Sequence, residues 1–231
     1  MSRASNKRLD SLSARPLRGG ASGERLNNLS APLRGCASSE RLDNLSARPL
    51  RGPLAVLVNG LAGAGKTTLA RALSAQLGLP LLAKDVIKEV HADVLGAVPR
   101  GGGTQRQWSM ALGAAASEAM WSLLADAPSG AVLESVWLRD ARHHVVAGLA
   151  RAGVARTVEV WCEVPVAVAR RRFEEREPRR HPIHGPQRLG DEEWARWAGL
   201  AEPLALGPLI TVDTTGAVDV GALADEITHL A

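Results

Sequence analysis

The chain has 231 residues, of which 45% are hydrophobic, and this length and composition favour one hydrophobic core of α/β size with an appendage. Two distant cysteines, Cys36 and Cys162, indicate neither a disulfide framework nor a zinc site. No apolar run reaches the roughly 18 residues that a membrane-spanning helix needs. We therefore expect a cytoplasmic protein without a membrane partner.

The N-terminal quarter of the chain differs from the remainder in charge. The formal net charge is +4, yet residues 1–52 contain ten Lys or Arg and only four Asp or Glu. Three near-copies of one unit, at 7–19, 24–35 and 40–52, have too few leucines to offset an ordering cost of about 1–2 kcal/mol per residue. We expect residues 1–52 to form a disordered basic arm, which either docks a partner, contacts nucleic acid or is an inert extension.

From residue 53 to 231, apolar runs alternate with amphipathic segments, as in βαβ units. The predicted strands are residues 54–59, 79–83, 131–136, 157–164 and 209–213. The predicted helices are residues 66–77, 85–95, 105–124 and 140–152, two helices that begin at 165 and 191, and residues 217–230. This alternation predicts an α/β domain: a five-stranded parallel sheet with right-handed crossovers and helices on both faces.

A phosphate-binding loop of the form G-x-x-x-x-G-K-[ST] lies between the first predicted strand and the first predicted helix. Glycines allow backbone N–H groups to approach phosphate oxygens, and the following helix directs its positive end at the same anion. The Lys is expected to reach the β- and γ-phosphates and the first Thr to bind Mg²⁺. We therefore predict that ATP and Mg²⁺ bind at Gly60, Leu61, Ala62, Gly63, Ala64, Gly65, Lys66, Thr67 and Thr68.

Two carboxylates follow predicted strands, whose carboxyl ends surround the ligand crevice in a sheet of this type. Asp85 is placed to accept a proton from an acceptor hydroxyl, or alternatively to cap the helix that follows it. Glu134 is placed to hold Mg²⁺ through water, or alternatively to pair with a local arginine such as Arg139. We interpret Lys88 as a solvated helix lysine rather than a contact to an anionic acceptor.

A basic segment resembling a lid occupies residues 172–190. Arg172, Arg176 and Arg180 recur every four residues and share one face as far as a helix persists. Their guanidinium groups either stabilise charge on a transferring phosphoryl group or form surface ion pairs. Pro178 is expected to end the helix, so that the following irregular segment can close over the site.

Two further pairs of residues near the predicted lid have open interpretations. His181 and His184 are separated by Pro182 and have no evident third ligand, so they do not indicate a zinc site. Trp194 and Trp197, three residues apart on a predicted helix, either cover the acceptor pocket or pack in the core or lid.

From residue 53 onward the chain resembles the small P-loop kinase-like proteins, which include chloramphenicol phosphotransferase, gluconate kinase and the zeta-toxin kinases and are often grouped with AAA-type ATPases. The phosphate loop carries the resemblance, with residues 82–85, Glu134, residues 172–184 and residues 212–215 in support. It implies a nucleoside-monophosphate-kinase-like P-loop fold with Asp85 as general base or acceptor-orienting group. It also implies that an adenine-side loop is formed by Asp213, Thr214 and Thr215.

These features favour an ATP- and Mg²⁺-dependent phosphotransferase that acts on a hydroxyl of a small molecule, either a metabolite or an antibiotic. One alternative is a kinase that acts on a nucleic-acid end or a nucleotide sugar, since the basic arm can attract nucleic acid. Another is a nucleotide-controlled binding module in which hydrolysis is incidental. The sequence does not identify the acceptor, because small kinases of this fold differ in the segments that bind it.

Overall fold

The computed structural model describes residues 52–99, 101–185 and 189–231. Their sheet contains five parallel strands: β1 (Leu54–Gly60), β2 (Leu81–Ala83), β3 (Gly130–Glu134), β4 (Arg156–Glu163) and β5 (Leu209–Asp213). The strand order is β2-β3-β1-β4-β5, which places β1 and its phosphate loop at the centre. The predicted five-stranded parallel sheet is therefore confirmed. The basic arm lies outside the described residues except for Gly52, so its disorder and its contact with nucleic acid stay predictions.

The helices of the described residues cover both faces of the sheet. They are α1 (Lys66–Leu77), α2 (Lys84–Leu95), α3 (Gln105–Ala125), α4 (Arg142–Arg151), α5 (Val166–Arg176), α6 (Asp191–Leu200) and α7 (Val220–Leu230). Short 3₁₀ turns lie at Arg139–Ala141, Glu177–Arg179 and Pro182–His184. None of the helices in the part of the chain that the structure describes is long and apolar enough to span a membrane.

Several predicted boundaries differ from the observed ones. The strand expected to reach residue 136 ends at Glu134, where pairing with β1 and β2 also ends. The helix expected from 140 starts as a 3₁₀ turn, and α7 begins at Val220 rather than 217. The later start of α7 has a local cause, because the Asp219 carboxylate accepts from the Ala222 N–H and caps the helix there.

The apolar sequence of β1 reflects burial on both faces of the sheet. Val56 and Val58 pack in one cluster with residues of α1 and α7. Ala55 and Leu57 point the other way and pack with residues of α3 and α4. This alternation holds β1 between two helical layers and fixes the position of the loop that follows it.

Candidate functional site

The phosphate loop connects β1 to α1, and Gly63 is its most constrained position. Gly63 has φ +89°, and a Cβ there would lie 2.8 Å from the Ala169 carbonyl carbon and collide with its oxygen. Helix α5 therefore approaches the loop backbone as closely as it does only because residue 63 has no side chain. The loop and the helix that leads to the predicted lid are in direct contact.

Lys66, the first residue of α1, is buried with 6% exposure. Its Nζ donates to the Leu61 carbonyl at 3.0 Å, so the side chain folds back over the loop. Burial lowers the pKa of Lys66, and the neighbouring Glu134 and Asp85 carboxylates oppose that shift. The ammonium group thus lies among the two carboxylates predicted for this site.

Glu134 and Thr67 meet at the end of β3. Glu134 is buried with 7% exposure, and its carboxylate accepts a hydrogen bond from the Thr67 side chain. Burial raises the pKa of Glu134, while Lys66 acts in the opposite direction. Adjacent hydroxyl and carboxylate oxygens are the donor types that Mg²⁺ prefers, so these two residues fit the predicted magnesium site.

The alternative partner for Glu134, Arg139, is engaged elsewhere. The Arg139 guanidinium pairs with Glu202 at 3.6 Å on the surface. The predicted pairing of Glu134 with Arg139 is therefore wrong, because the exposed Arg139 guanidinium has Glu202 as its partner.

Asp85 lies in the first turn of α2 with its side chain exposed. The helix begins at Lys84, one residue earlier than expected, so Ala83 occupies the N-cap position and makes no side-chain cap. The alternative role of Asp85 as the N-cap is therefore wrong. Its carboxylate instead lines a cavity together with Lys66 and Glu134.

Lys88, one turn after Asp85, is 8% exposed, and the expectation of a solvated lysine is wrong. Its Nζ donates to the Ser109 hydroxyl of α3 at 2.8 Å. Burial lowers the pKa of Lys88, and the Asp85 carboxylate opposes the shift. The packing of α3 across α2, which the sequence pattern did not reveal, explains the difference.

The three candidate arginines of the predicted lid separate into two groups. Arg176 and Arg180 line the same cavity as Lys66, and the Arg180 guanidinium lies 4.7 Å from the centre of the Phe173 ring. Arg172 instead donates to the carbonyls of Thr214 and Thr215 at 3.0 and 2.9 Å. The structure therefore does not bring Arg172 to the site with the other two.

Helix α5 ends at Arg176, and a 3₁₀ turn that contains Pro178 follows, which confirms the predicted helix end. The surface ion pairs of α5 are made by neighbouring arginines: Arg170 contacts Glu174 at 2.8 Å, and Arg171 lies 3.9 Å from Glu175. Residues 186–188 of the predicted lid lie outside the described residues.

The two histidines of the lid segment each contact a carboxylate of α2. His181 Nε2 lies 3.0 Å from Asp93 Oδ1, and His184 Nε2 lies 2.8 Å from Glu89 Oε1. Burial lowers the pKa of His184, since only 8% of the residue is exposed. These contacts join the lid segment to the helix that carries Asp85.

The loop after β5 contacts the phosphate loop through Thr214. Its hydroxyl donates to the Ala64 carbonyl at 2.6 Å. The Asp213 carboxylate accepts from the Thr215 N–H at 2.8 Å, and hydrogen bonds from Thr215 lower the pKa of Asp213. The contact of Asp213, Thr214 and Thr215 with an adenine ring stays a prediction.

A buried polar network behind the phosphate loop was missed by the sequence analysis. Asn59 and Glu159 have no exposed surface. The Asn59 amide donates to Glu159 at 3.2 Å and to the Trp137 carbonyl at 3.1 Å. The Glu159 carboxylate also accepts from the N–H groups of Leu204 and Ala205 at 2.9 and 3.0 Å. A single Glu between two valines in a strand expected to be buried was the signal that could have revealed it.

Two cavities share part of their walls at the carboxyl edge of the sheet. The phosphate cavity, of about 220 Å³, is lined by Gly63, Gly65, Lys66, Thr67, Asp85, Glu134, Arg176 and Arg180, among others. The α3 cavity, of about 900 Å³, lies against α3 and α4. Both are lined by Lys84, Lys88, Val136, His184 and Trp197.

One member of the predicted tryptophan pair lines these cavities, and the other packs in the core. Trp197 lines both cavities. Trp194 is 2% exposed and packs edge-on against Phe173, with 5.4 Å between the ring centres. Only one of the two indoles therefore faces space in which a ligand could bind.

A central strand that ends in a phosphate loop, with carboxylates at neighbouring strand and helix ends, defines a P-loop nucleotide-binding protein of the kinase type. A family described as an AAA domain matches residues 56–204, and the chain belongs to this family. No curated protein matches the chain.

Solved structures agree with this assignment. A candidate kinase from Chloroflexus aurantiacus is 29% identical, with 78% of this chain and 99% of that chain covered and a TM-score of 0.67. Shikimate kinase from Acinetobacter baumannii, in complex with shikimate, is 18% identical, with coverages of 78% and 94% and a TM-score of 0.51. Kti12 from Chaetomium thermophilum, in complex with ADP-AlF3, is 18% identical, with coverages of 77% and 98% and a TM-score of 0.50.

The last two likenesses, at their low identity, show the fold alone. The family and the structures together confirm the predicted resemblance to small P-loop kinase-like proteins. The chain is a kinase-like P-loop enzyme that depends on ATP.

Proposed function

We propose that the enzyme transfers the γ-phosphoryl group of ATP, with Mg²⁺, to a hydroxyl group of a small molecule such as a metabolite or an antibiotic. One observation carries the proposal: the phosphate cavity, which Asp85 lines, shares walls with a second and larger cavity. Asp85 lies on the same helical turn as Lys84 and Lys88, which line both. A phosphoryl donor and an acceptor would thus meet beside a carboxylate.

The residues of the phosphate cavity supply the functions that an in-line displacement needs. The loop N–H groups and Lys66 bind the terminal phosphates, and Asp85 accepts the proton of the attacking hydroxyl. A bond forms between the acceptor oxygen and the γ-phosphorus, while the bond from that phosphorus to the bridging oxygen breaks and ADP leaves. Arg176 and Arg180 stabilise the charge that develops on the transferring group.

Thr67 and Glu134 would hold the metal ion, directly or through water. Magnesium, when bound, neutralises charge on the β- and γ-phosphate oxygens. The hydrogen bond between these two side chains holds the Thr67 hydroxyl next to the Glu134 carboxylate in the cavity wall.

The size of the α3 cavity supports a small-molecule acceptor over a binding module. Its volume of about 900 Å³ falls within the range of roughly 300–1,000 Å³ typical of small-molecule sites. A nucleotide-controlled binding module needs neither this cavity nor a carboxylate at the position of Asp85. A nucleic-acid acceptor depends on the basic arm, which lies almost entirely outside the described residues.

A screen with a matched variant tests the proposal. Purified protein is incubated with ATP, Mg²⁺ and hydroxylated metabolites and antibiotics, and mass spectrometry detects the gain of a phosphoryl group. We expect Asp85→Asn to lower kcat for the modified compound by about 10²–10⁴-fold, because the proton acceptor is lost. Its affinity for ATP should not change.

Asp225→Asn, at an exposed carboxylate on α7, is the control and should keep full turnover. Transfer at the normal rate by Asp85→Asn would exclude the proposed proton transfer. Failure of every hydroxylated compound to gain a phosphoryl group would exclude a small-molecule acceptor.

A further inference from the structure

The walls of the α3 cavity indicate what kind of acceptor it admits. Along α3, Ser109, Gly113 and Ser117 line the cavity at four-residue spacing, and larger side chains such as Met110 and Trp121 line it beside them. The cavity is also lined by Trp137, from the segment after β3, and by Trp197 of α6. The cavity of about 900 Å³ therefore combines small side chains with indole rings, which suits a ligand that has an apolar or aromatic body.

The absence of a side chain at residue 113 leaves space in this wall of the cavity. A Cβ at Gly113 would lie 4.0 Å from Lys84 Cε and from Lys88 Cδ, which is ordinary contact. A longer side chain at that position would project toward these lysines and into the cavity.

Lys88 is the most buried cation of the cavity wall, with 8% exposure. Its ammonium has three donors, of which one is directed to Ser109 Oγ. Among the described residues no carboxylate lies within ion-pair distance of it, and the neighbouring Glu89 contacts His184 instead. A buried charge without a close counterion is unfavourable, so the position is suited to a ligand that supplies one.

The cavity wall carries more positive than negative charge. Its cations, apart from His144 and His184, are Lys84, Lys88, Arg106 and Arg196. Its two carboxylates have partners: Glu118 pairs with Arg151 at 2.8 Å, and Glu193 accepts from the Gly190 N–H at 3.3 Å. Cations in a cleft with apolar walls concentrate a positive potential there.

We propose that the acceptor is an organic anion, in which a carboxylate or phosphate group binds Lys88 and an apolar body packs against Trp137 and Trp197. This inference rests on the proposed phosphotransferase function. Asp85 and Lys88 are three residues apart on α2, and side chains at this spacing are neighbours, with about 5–6 Å between Cβ atoms. One bound molecule can therefore contact both side chains, with its hydroxyl at Asp85 and its anionic group at Lys88.

Binding to matched ligand pairs tests the charge preference without requiring transfer. The probes are 3-phenyllactate and 4-(hydroxymethyl)benzoate with their primary amides, and 4-(hydroxymethyl)phenyl phosphate with 4-(hydroxymethyl)phenol. Calorimetry uses the full chain saturated with Mg²⁺ and a non-hydrolysable ATP analogue. At least one anion should bind about 10- to 100-fold more tightly than its neutral partner, as a charge-assisted hydrogen bond allows. Comparison of the carboxylate and phosphate pairs identifies the preferred group.

Two variants assign the preference to Lys88. Lys88→Met keeps the length of the side chain and removes the charge, and it should make each anion and its neutral partner bind equally. Arg71→Met removes an exposed cation from α1 and should keep the wild-type preference. Unchanged affinity for the ATP analogue shows that both variants are folded.

The outcomes separate this inference from the proposed function. Neutral partners that bind as tightly as the anions, a preference that survives Lys88→Met, or no binding by any probe would each overturn the inference. Binding of anions through Lys88 without transfer to any hydroxyl would support the inference and contradict the proposed function. Transfer to uncharged compounds alone would support the proposed function and contradict the inference.

Discussion

The contact between Gly63 and α5 allows the effect of one methyl group to be estimated. In Gly63→Ala, a residue with a Cβ must adopt φ near +89°, which costs about 1–2 kcal/mol. The Cβ also collides with the Ala169 backbone, which is part of a helix and cannot rotate away as a side chain could. Overpacking of this kind costs about 1–3 kcal/mol. We expect a total loss of about 2–5 kcal/mol in the free energy of unfolding.

Gly78→Ala is the matched control for this estimate. Gly78 also has positive φ, +63°, but a Cβ there meets nothing within 4 Å, so it incurs the backbone cost alone. Urea unfolding measures both variants. With an m-value of about 2–3 kcal/mol/M, the midpoint of Gly63→Ala should fall by roughly 1–2 M. Equal midpoints for the two variants would refute the close contact between the loop and α5.

Three further predictions concern the buried network, Lys88 and the cavity wall. Glu159→Gln should lower the free energy of unfolding by about 2–3 kcal/mol, because the Leu204 and Ala205 N–H groups donate to different carboxylate oxygens and an amide replaces one of these with an NH2 donor. Glu163→Gln, at the exposed end of the same strand, should have little effect in the same urea assay. Burial lowers the pKa of Lys88 in the folded protein, so the unfolded chain holds a proton on this lysine more tightly than the folded chain does. The free energy of unfolding of the wild type therefore rises with pH, up to the pKa of the unfolded chain near 10.5. Lys88→Met should therefore be more stable than wild type at pH 7, with a smaller advantage at pH 10 in thermal unfolding; an advantage independent of pH would contradict this. Gly113→Leu should lower kcat/KM for the acceptor at least about tenfold without changing the affinity for ATP. Gly113→Ala is the control and should retain activity, because its Cβ makes only ordinary contacts. Equal kinetics for the two variants would show that the cavity is not the acceptor site.

Local sequence patterns were sufficient to predict the sheet and the phosphate loop. The run at β1 reads as a strand buried on both faces, and the spacing of glycines before Lys66 has a direct mechanical reason in the approach of backbone N–H groups to phosphate. The N-terminal boundary of α2 was misplaced by one residue, because Asp85 is a good capping residue and the observed cap, Ala83, provides no such signal.

Contacts between distant segments were the part that the sequence could not supply. The four-residue spacing of Arg172, Arg176 and Arg180 suggests one shared face, yet Arg172 is drawn to carbonyls that follow β5. The burial of Lys88 depends on α3 crossing α2, which local periodicity does not encode. Both results come from tertiary packing, which decides the environment of a side chain whatever its own helix favours.

The hydrogen bond from Thr214 to the Ala64 carbonyl has a consequence for the entropy of nucleotide binding. In a trans peptide the C=O and the following N–H point in opposite directions, so fixing the Ala64 oxygen also fixes the orientation of the Gly65 amide. That peptide plane is immobilised when the chain folds, before any triphosphate arrives. Association with the nucleotide then requires less freezing of backbone rotation, and a larger share of the contact enthalpy remains as affinity.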